Sequence, residues 1–130
     1  MWLTVFVPMT RPGSLISTRG RRAARAKSAS EAIPSPGAIT RWQEPAGPGV
    51  RVDAGYAAGN TVTPYYDPLL AKLCVYGQDR DEALARARAA VRGFVVEGPK
   101  TNLPFHADLL DSEVFSSGRY DTSVVSRLRP

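Results

Sequence analysis

Few side chains in this sequence are of the types that perform nucleophilic, acid–base or metal chemistry. Cys74 is the only cysteine and His106 the only histidine, so neither an internal disulfide nor a Cys/His zinc site can form. His106 lies among leucines at helical spacing, where we expect a core or boundary histidine rather than a catalytic one. We therefore predict no catalytic residue and no metal site. The single thiol also favours a reducing, cytoplasmic compartment.

Two further patterns could indicate a cation or a phosphate site. Asp108, Asp111 and Glu113 are close in sequence, but their spacing does not match an EF-hand loop and acidic residues are common at helix ends. The glycine-rich stretches 47–49 and 55–59 form neither the Walker spacing nor the dinucleotide-binding fingerprint. The sequence thus predicts no cofactor bound by this chain alone.

The net charge of +5 comes from one end of the chain. Residues 1–30 contain six basic residues and no acidic one, which leaves the rest of the chain nearly neutral. An Arg-, Ser- and Ala-rich composition is shared by organellar transit peptides, basic nucleic-acid arms and disordered tails, and we expect residues 1–32 to be a disordered extension. Nucleic-acid binding is not favoured, because the rest of the chain offers no basic stripe.

The first eight residues are mainly apolar, but the run is too short to span a bilayer and no basic residue precedes it. We therefore expect neither export nor a membrane partner. Ordered structure is expected to begin near Ile33, because prolines and a glycine at 34–37 favour a rigid turn. Residues 33–130 then form a single domain.

Hydrophobic spacing in this domain predicts strands first and helices last, an α+β arrangement with a small antiparallel β-sheet packed against about three helices. Strands are expected at 38–42, 50–56, 61–63, 69–76 and 94–96, and helices at 79–93, 102–111 and 112–116, with a further helical turn or two at 121–128. The first two strands are expected to lie antiparallel on either side of the loop at 44–49. Asn102 is expected to cap the second helix.

The segment 79–93 has the strongest helical pattern. Asp79 is suited to cap its first turn, and Glu82 completes a capping-box arrangement. We expect one face to pack on the sheet through Leu84, Ala87, Val91 and Phe94. The opposite face is expected to be a solvated surface and carries Arg80, Glu82, Arg86, Arg88 and Arg92.

A series of motifs in fixed order resembles the biotin carboxylases and the biotin carboxylase part of acyl-CoA carboxylases. They are PSPG-x-ITR at 34–41, GPGVRVD at 47–53, V-x-PYYD-x-L-x-AKL at 62–73, G-x-DRDEA at 77–83, G-x-KTN at 98–102 and YDTS at 120–123. The resemblance covers residues 33–128 and implies the C-terminal domain of such an enzyme.

In that family, ATP, Mg²⁺ or Mn²⁺ and bicarbonate are used to carboxylate biotin held on a carrier protein. The resemblance therefore implies three partners: an ATP-grasp region, a biotin carboxyl carrier protein and a carboxyltransferase. The family's phosphate loop, nucleotide lysines and metal-binding glutamates belong to the ATP-grasp region, and none is matched here. Residues 21–30 also show no match to the strand whose arginine assists bicarbonate and biotin.

The resemblance assigns roles to a few residues. Arg51 and Asp67 match positions near the homodimer contact of bacterial members, although local salt bridging is an equally good interpretation. Thr122 matches a position near the adenine edge of the nucleotide. Tyr65 and Tyr66 are expected to be core aromatics rather than substrate contacts.

Three hypotheses remain open. The first is a fragment that is inactive alone, because it lacks the ATP-grasp region. The second is a carboxylase part that a separately encoded ATP-grasp chain completes in trans. The third, a basic-tailed nucleic-acid-binding module, is the least favoured.

Overall fold

The computed structural model describes residues 2–8 and 36–128. The strands are β1 (Trp2–Pro8), β2 (Gly37–Ala38), β3 (Arg41–Gln43), β4 (Val50–Ala54), β5 (Thr61–Val62), β6 (Leu69–Tyr76) and β7 (Val95–Glu97). The helices are α1 (Arg80–Gly93), α2 (Leu103–Asp111), α3 (Glu113–Ser116) and α4 (Val124–Leu128). The α+β prediction is confirmed, with four helices in this part of the chain rather than about three.

The main sheet has the strand order β1-β6-β4, and both pairings are antiparallel. Its central strand β6 has the bounds that the sequence predicts. Successive side chains of a strand point to opposite faces, so Leu73 and Val75 share one face, and both are fully buried. Two small sheets, β2-β5 and β3-β7, are also antiparallel.

The predicted pairing of the first two body strands is wrong. The segment expected as one strand at 38–42 is divided between β2 and β3, because Ile39 and Thr40 interrupt it. Strand β3 pairs with β7, and β4 pairs with β6 rather than with β3. The amide of Thr40 donates to the carbonyl of Glu97 at 2.9 Å, which holds the interruption beside the distant strand.

A strand also lies where the sequence predicts a disordered extension. β1 pairs with β6 from Trp2↔Tyr76 to Pro8↔Leu69, and its Leu3 and Val5 are buried in the main core. The expectation that order begins near residue 33 is therefore wrong for residues 2–8. Residues 9–35, which hold the rest of the predicted extension, lie outside the described residues.

The main core lies between this sheet and α1. The helix buries Ala83, Leu84, Ala87, Ala90 and Val91, and Phe94 follows it into the same core, so the predicted apolar face is confirmed. A second, smaller cluster consists of Ile39, Val62 and Leu70. Partly buried Trp42 packs against both clusters and joins them.

The start of α1 follows the predicted capping arrangement. The Asp79 carboxylate accepts a hydrogen bond from the amide of Glu82 at 2.8 Å. In return, the Glu82 carboxylate accepts from the amide of Gln78 at 2.6 Å, one residue before the cap. The first bond satisfies an amide that a helix start leaves without a partner in the helix itself, and the second holds the residue before the cap.

Gly98 is required where β7 ends beside β2. Its φ angle is 117°, in a region that other residues rarely adopt. A Cβ atom at this position would overlap the carbonyl oxygen of Ala38. The glycine therefore lets two backbone segments approach closely.

Candidate functional site

The predicted nucleotide-edge residue, Thr122, lies in the exposed turn before α4. Its carbonyl accepts a hydrogen bond from the amide of Val125 at 3.4 Å, as in the first turn of a helix. The Asp121 carboxylate accepts from the amide of Ser123 at 2.8 Å. The residues on either side of Thr122, Asp121 and Ser123, thus bond to each other and stabilise the turn.

Two hydrogen bonds from Ser123 lower the pKa of Asp121 below its ordinary value, and the bond from the side chain has a larger effect than the bond from the backbone. The positive charge of Arg127 adds to this lowering of the pKa. The carboxylate therefore stays ionised at neutral pH. An anion entering this turn would meet one negative group as well as the arginine.

An open cavity of about 310 Å³ borders this turn. It is lined by Val114, Arg119, Tyr120, Asp121, Ser123, Val124 and Arg127. Its lining combines two cations, an aromatic side chain and hydrogen-bonding groups, a set able to contact the edge of a polar aromatic ligand. Thr122 itself is not part of that lining, although both of its neighbours are.

Arg51, predicted to be an interface residue, lies on β4 with its side chain exposed. Its guanidinium Nη2 is 3.0 Å from Oδ2 of Asp53, and their side chains are 64% and 50% exposed. The local salt bridge that the sequence left open is therefore present. Such an exposed pair contributes little to stability and leaves both groups accessible to a second molecule.

Asp67, the other predicted interface residue, lies in the loop just before β6. Its Oδ1 accepts a hydrogen bond from the amide of Leu69 at 2.7 Å. Asp67 and Arg51 therefore each bond within their own segment.

The prediction that Tyr65 and Tyr66 are core aromatics is wrong. Their side chains are 86% and 76% exposed in the loop between β5 and β6. Hydrophobic composition alone cannot show on which side of a turn an aromatic ring lies. The loop thus presents two large aromatic rings next to Asp67.

His106 is a core histidine, as the sequence predicts. It is 2% exposed, and its Nε2 lies 2.8 Å from Nδ2 of Asn102. Asn102 occupies the N-cap position of α2, as predicted, but its side chain makes this contact and no capping hydrogen bond. The pair lies at the start of α2 inside the core.

The acidic group near the end of α2 is engaged with arginines. Asp111 lies 3.3 Å from Nε of Arg88 and 2.8 Å from Nη2 of Arg92. No group of three metal-ligating side chains able to hold an ion is found within residues 2–8 and 36–128.

The arginine face of α1 is only partly solvated, which corrects the sequence prediction. Arg80 donates to the carbonyl oxygens of Phe115 and Ser116 at 2.5 and 3.3 Å. Arg88 donates to the carbonyl oxygen of Leu110 at 2.9 Å and to Oγ of Ser116 at 2.8 Å. These side chains position α2 and α3 against α1. A charge pattern does not show which arginines will meet free carbonyl groups.

None of the helices in residues 36–128 has the length and apolar composition needed to span a bilayer.

Sequence comparison relates this chain to biotin-dependent carboxylases. It is 48% identical over 90 residues to biotin carboxylase 1 of Bacillus subtilis, a match covering 69% of this chain and 20% of the relative. It is 46% identical over 86 residues to the biotin carboxylase of Pseudomonas aeruginosa, covering 66% of this chain and 19% of the relative. The chain thus spans about one fifth of the length of these relatives.

Solved structures of biotin-dependent carboxylases also resemble this chain. The complete pyruvate carboxylase of Rhizobium etli matches with a TM-score of 0.75 and 28% identity, covering 95% of this chain and 10% of that one. The biotin carboxylase domain dimer of Hydrogenobacter thermophilus 2-oxoglutarate carboxylase matches with a TM-score of 0.70 and 34% identity, covering 72% and 21%.

The model of the family described as biotin carboxylase C-terminal domain matches residues 22–127. The match begins before the boundary predicted at residue 33, which remains a prediction. It includes Arg51, Asp67 and Thr122 but not β1. Because it spans most of the sequence, the chain belongs to the biotin carboxylase C-terminal domain family.

Proposed function

We propose that this chain serves as the C-terminal domain of a biotin carboxylase and does not catalyse carboxylation by itself. The observation that carries the proposal is a family match over residues 22–127 of a chain that spans one fifth of its relatives. In the complete reaction, ATP with Mg²⁺ or Mn²⁺ activates bicarbonate, and biotin on a carrier protein is carboxylated. The ATP-grasp region would supply the nucleotide and metal contacts, and this domain would close one side of the site.

Thr122 would contribute an edge contact to the adenine ring. Its exposed turn next to the cavity supports this role, because a ligand can reach it without rearrangement of the core. The hydrogen bonds within 121–123 would hold the turn in place before the nucleotide binds. The contact would affect nucleotide affinity rather than the chemical step, since no reacting group is contributed.

A second copy of the chain would meet Arg51 and Asp67. Both residues are exposed, and a related biotin carboxylase domain was solved as a dimer. Tyr65 and Tyr66 would add apolar area beside Asp67, since aromatic rings are enriched in protein interfaces. An ATP-grasp region, a biotin carboxyl carrier protein and a carboxyltransferase would be the further partners in a cytoplasmic complex.

The proposal is tested by bicarbonate-dependent ATP hydrolysis in the presence of free biotin. The purified chain alone should show none, while the complete Bacillus subtilis relative serves as the positive control. ATP turnover by the isolated chain at a rate that follows its concentration through purification would overturn the proposal.

Completion in trans is a second candidate function, favoured by the intact core and the exposed loop at 65–67. Mixing the chain with a separately produced ATP-grasp region of the relative should then restore activity. If no activity appears although the two chains co-purify, this candidate is rejected. A nucleic-acid-binding module has no support from the comparisons, since all the relatives described above are carboxylases.

A further inference from the structure

The main sheet contains one strand that the family match does not include. The match starts at residue 22, whereas β1 comprises Trp2–Pro8. Residues 9–35 connect β1 to the rest of the described chain. β1, which lies beside the central strand β6, therefore comes from outside the residues that the family model matches.

The contacts of β1 are those of an integral strand. It pairs with β6 in continuous register from Trp2 to Val7. Leu3 lies opposite Val75, and Val5 lies opposite Leu73, and all four side chains are buried. β1 thus contributes apolar side chains to the sheet face that packs on α1.

The opposite side of β6 carries a matching arrangement. In β4, Val50 lies opposite Val75, and Val52 lies opposite Leu73. Each central residue is therefore flanked by an apolar residue on both sides. Without β1, β6 would become an edge strand with unpaired backbone groups and an uncovered side of the core.

We propose that the edge of β6 opposite β4 is a strand-accepting groove that binds the 2–8 segment by strand addition. The groove selects an extended peptide with apolar residues at positions 3 and 5, and the family-matched part of the chain depends on such an occupant. The same groove accepts this segment from a separate peptide when the attached copy is disabled. Backbone hydrogen bonds supply affinity in this mode, and alternate side chains supply selectivity.

The register gives a direct test in the full chain. Thr4 is the cross-strand partner of Cys74, the only cysteine, and such partners have Cα atoms about 4.5–5.5 Å apart, within the range for a disulfide. Oxidised glutathione should convert the Thr4→Cys chain to an intramolecular disulfide, detected by mass spectrometry as the loss of two hydrogens and by peptide mapping.

Phe6→Cys is the matched control. Phe6 is partnered with Lys72, so its diagonal separation from Cys74 is about 7–8 Å, beyond the usual disulfide range. Bond formation by Thr4→Cys at least tenfold faster than by Phe6→Cys supports the groove. Equal rates, or no bond in either variant, overturn it.

The second test supplies the strand in trans. Leu3→Asp/Val5→Asp in the full chain disables the attached strand and leaves β6 intact. With oxidised glutathione as the oxidant, a peptide of residues 1–9 carrying Thr4→Cys should form a disulfide with Cys74 of this variant. In the wild-type chain, labelling should be at least about tenfold slower, because the attached strand competes at an effective concentration near the millimolar range.

The control peptide carries Leu3→Asp and Val5→Asp in addition to Thr4→Cys and should not cross-link above background. If the disabled chain does not fold alone, it is refolded with each peptide and followed by near-ultraviolet circular dichroism. Recovery with the apolar peptide, and not with the control peptide, supports the existence of the groove. Recovery with both peptides, recovery with neither, or equal labelling of the two chains overturns it.

Discussion

The guanidinium group of Arg80 contacts Phe115 in two ways at once. Its Nη2 donates to the carbonyl oxygen of Phe115 at 2.5 Å, and its central carbon lies 5.4 Å from the centre of the phenyl ring. The same group lies 6.0 Å from the ring centre of Tyr120. These contacts hold the first turn of α1 against α3 and against Tyr120, which precedes the Thr122 turn.

Replacing Arg80 by alanine should lower the free energy of unfolding by about 1–3 kcal/mol, because two backbone carbonyls lose a charged donor. Arg80→Lys should recover little of this loss, since an ammonium group lacks the planar fork that reaches both carbonyls. Urea denaturation followed by circular dichroism measures both variants.

The control for this prediction is Arg92→Ala on the same helix. Its ion pair with Asp111 is largely exposed, so the expected loss is about 0–1 kcal/mol. Equal losses for Arg80→Ala and Arg92→Ala would show that the carbonyl contacts of Arg80 do not stabilise the domain.

The contacts of Arg80 show which features of the fold could not be predicted from the sequence. The helix was predictable, because its cap at Asp79 and the spacing of Leu84, Ala87 and Val91 are local features. The carbonyl partner of Arg80 is 35 residues away, and nothing local marks it. Strand pairing failed for the same reason: β3 and β7 are both recognisable as strands, but their pairing depends on distant residues.

Phe94→Ala should lower the free energy of unfolding by about 3–5 kcal/mol, because it removes a large buried ring. Phe94 is 4% exposed, and its ring meets that of Trp42 edge to face at 5.4 Å between centres. Thermal and urea unfolding measure the loss. Tyr65→Ala is the matched aromatic control and should change stability by no more than about 0.5 kcal/mol. An unchanged melting temperature for Phe94→Ala would contradict the packing at the end of α1.

Gly98→Ala should destabilise the domain by more than about 1 kcal/mol, because both the positive φ and the nearby carbonyl of Ala38 oppose a Cβ atom. Gly37→Ala is the control, since its added Cβ would meet no atom within 4 Å. Differential scanning calorimetry of the two variants provides the comparison. A Gly98→Ala domain as stable as Gly37→Ala would mean that the two backbone segments are further apart.

The aromatic loop predicts self-association of the isolated domain. Two exposed tyrosines beside Asp67 form a surface that the rest of a carboxylase, or a second copy, would otherwise cover. Sedimentation should show association that increases with protein concentration. Tyr65→Ser/Tyr66→Ser should weaken it, whereas Tyr120→Phe, at a ring that packs on Phe115, should not. A monodisperse wild-type monomer over the whole concentration range would refute this prediction.

The candidate site could be identified only in part from the sequence. The family motif marked Thr122, whose role at the nucleotide edge stays a prediction, and the turn around it is exposed. The exposure of Tyr65 and Tyr66 was not predictable, because their apolar character is compatible with both the core and an interface. Likewise, Tyr120, which precedes the Thr122 turn, contacts Arg80 of α1 and Phe115 of α3, and only the folded chain brings these residues together.

The lowered pKa of Asp121 gives a prediction with a defined sign. Ser123→Ala removes the side-chain hydrogen bond, the largest cause of the lowering, so the pKa should rise towards its ordinary value. Because the folded pKa lies below the unfolded one, ionised Asp121 favours the folded state above the unfolded pKa. That contribution is lost as the pH falls through the folded pKa. Carboxyl-carbon NMR titration measures the change. Arg127→Gln, which removes a smaller cause, should raise the pKa less than Ser123→Ala, and the reverse order would contradict the assigned role of Ser123.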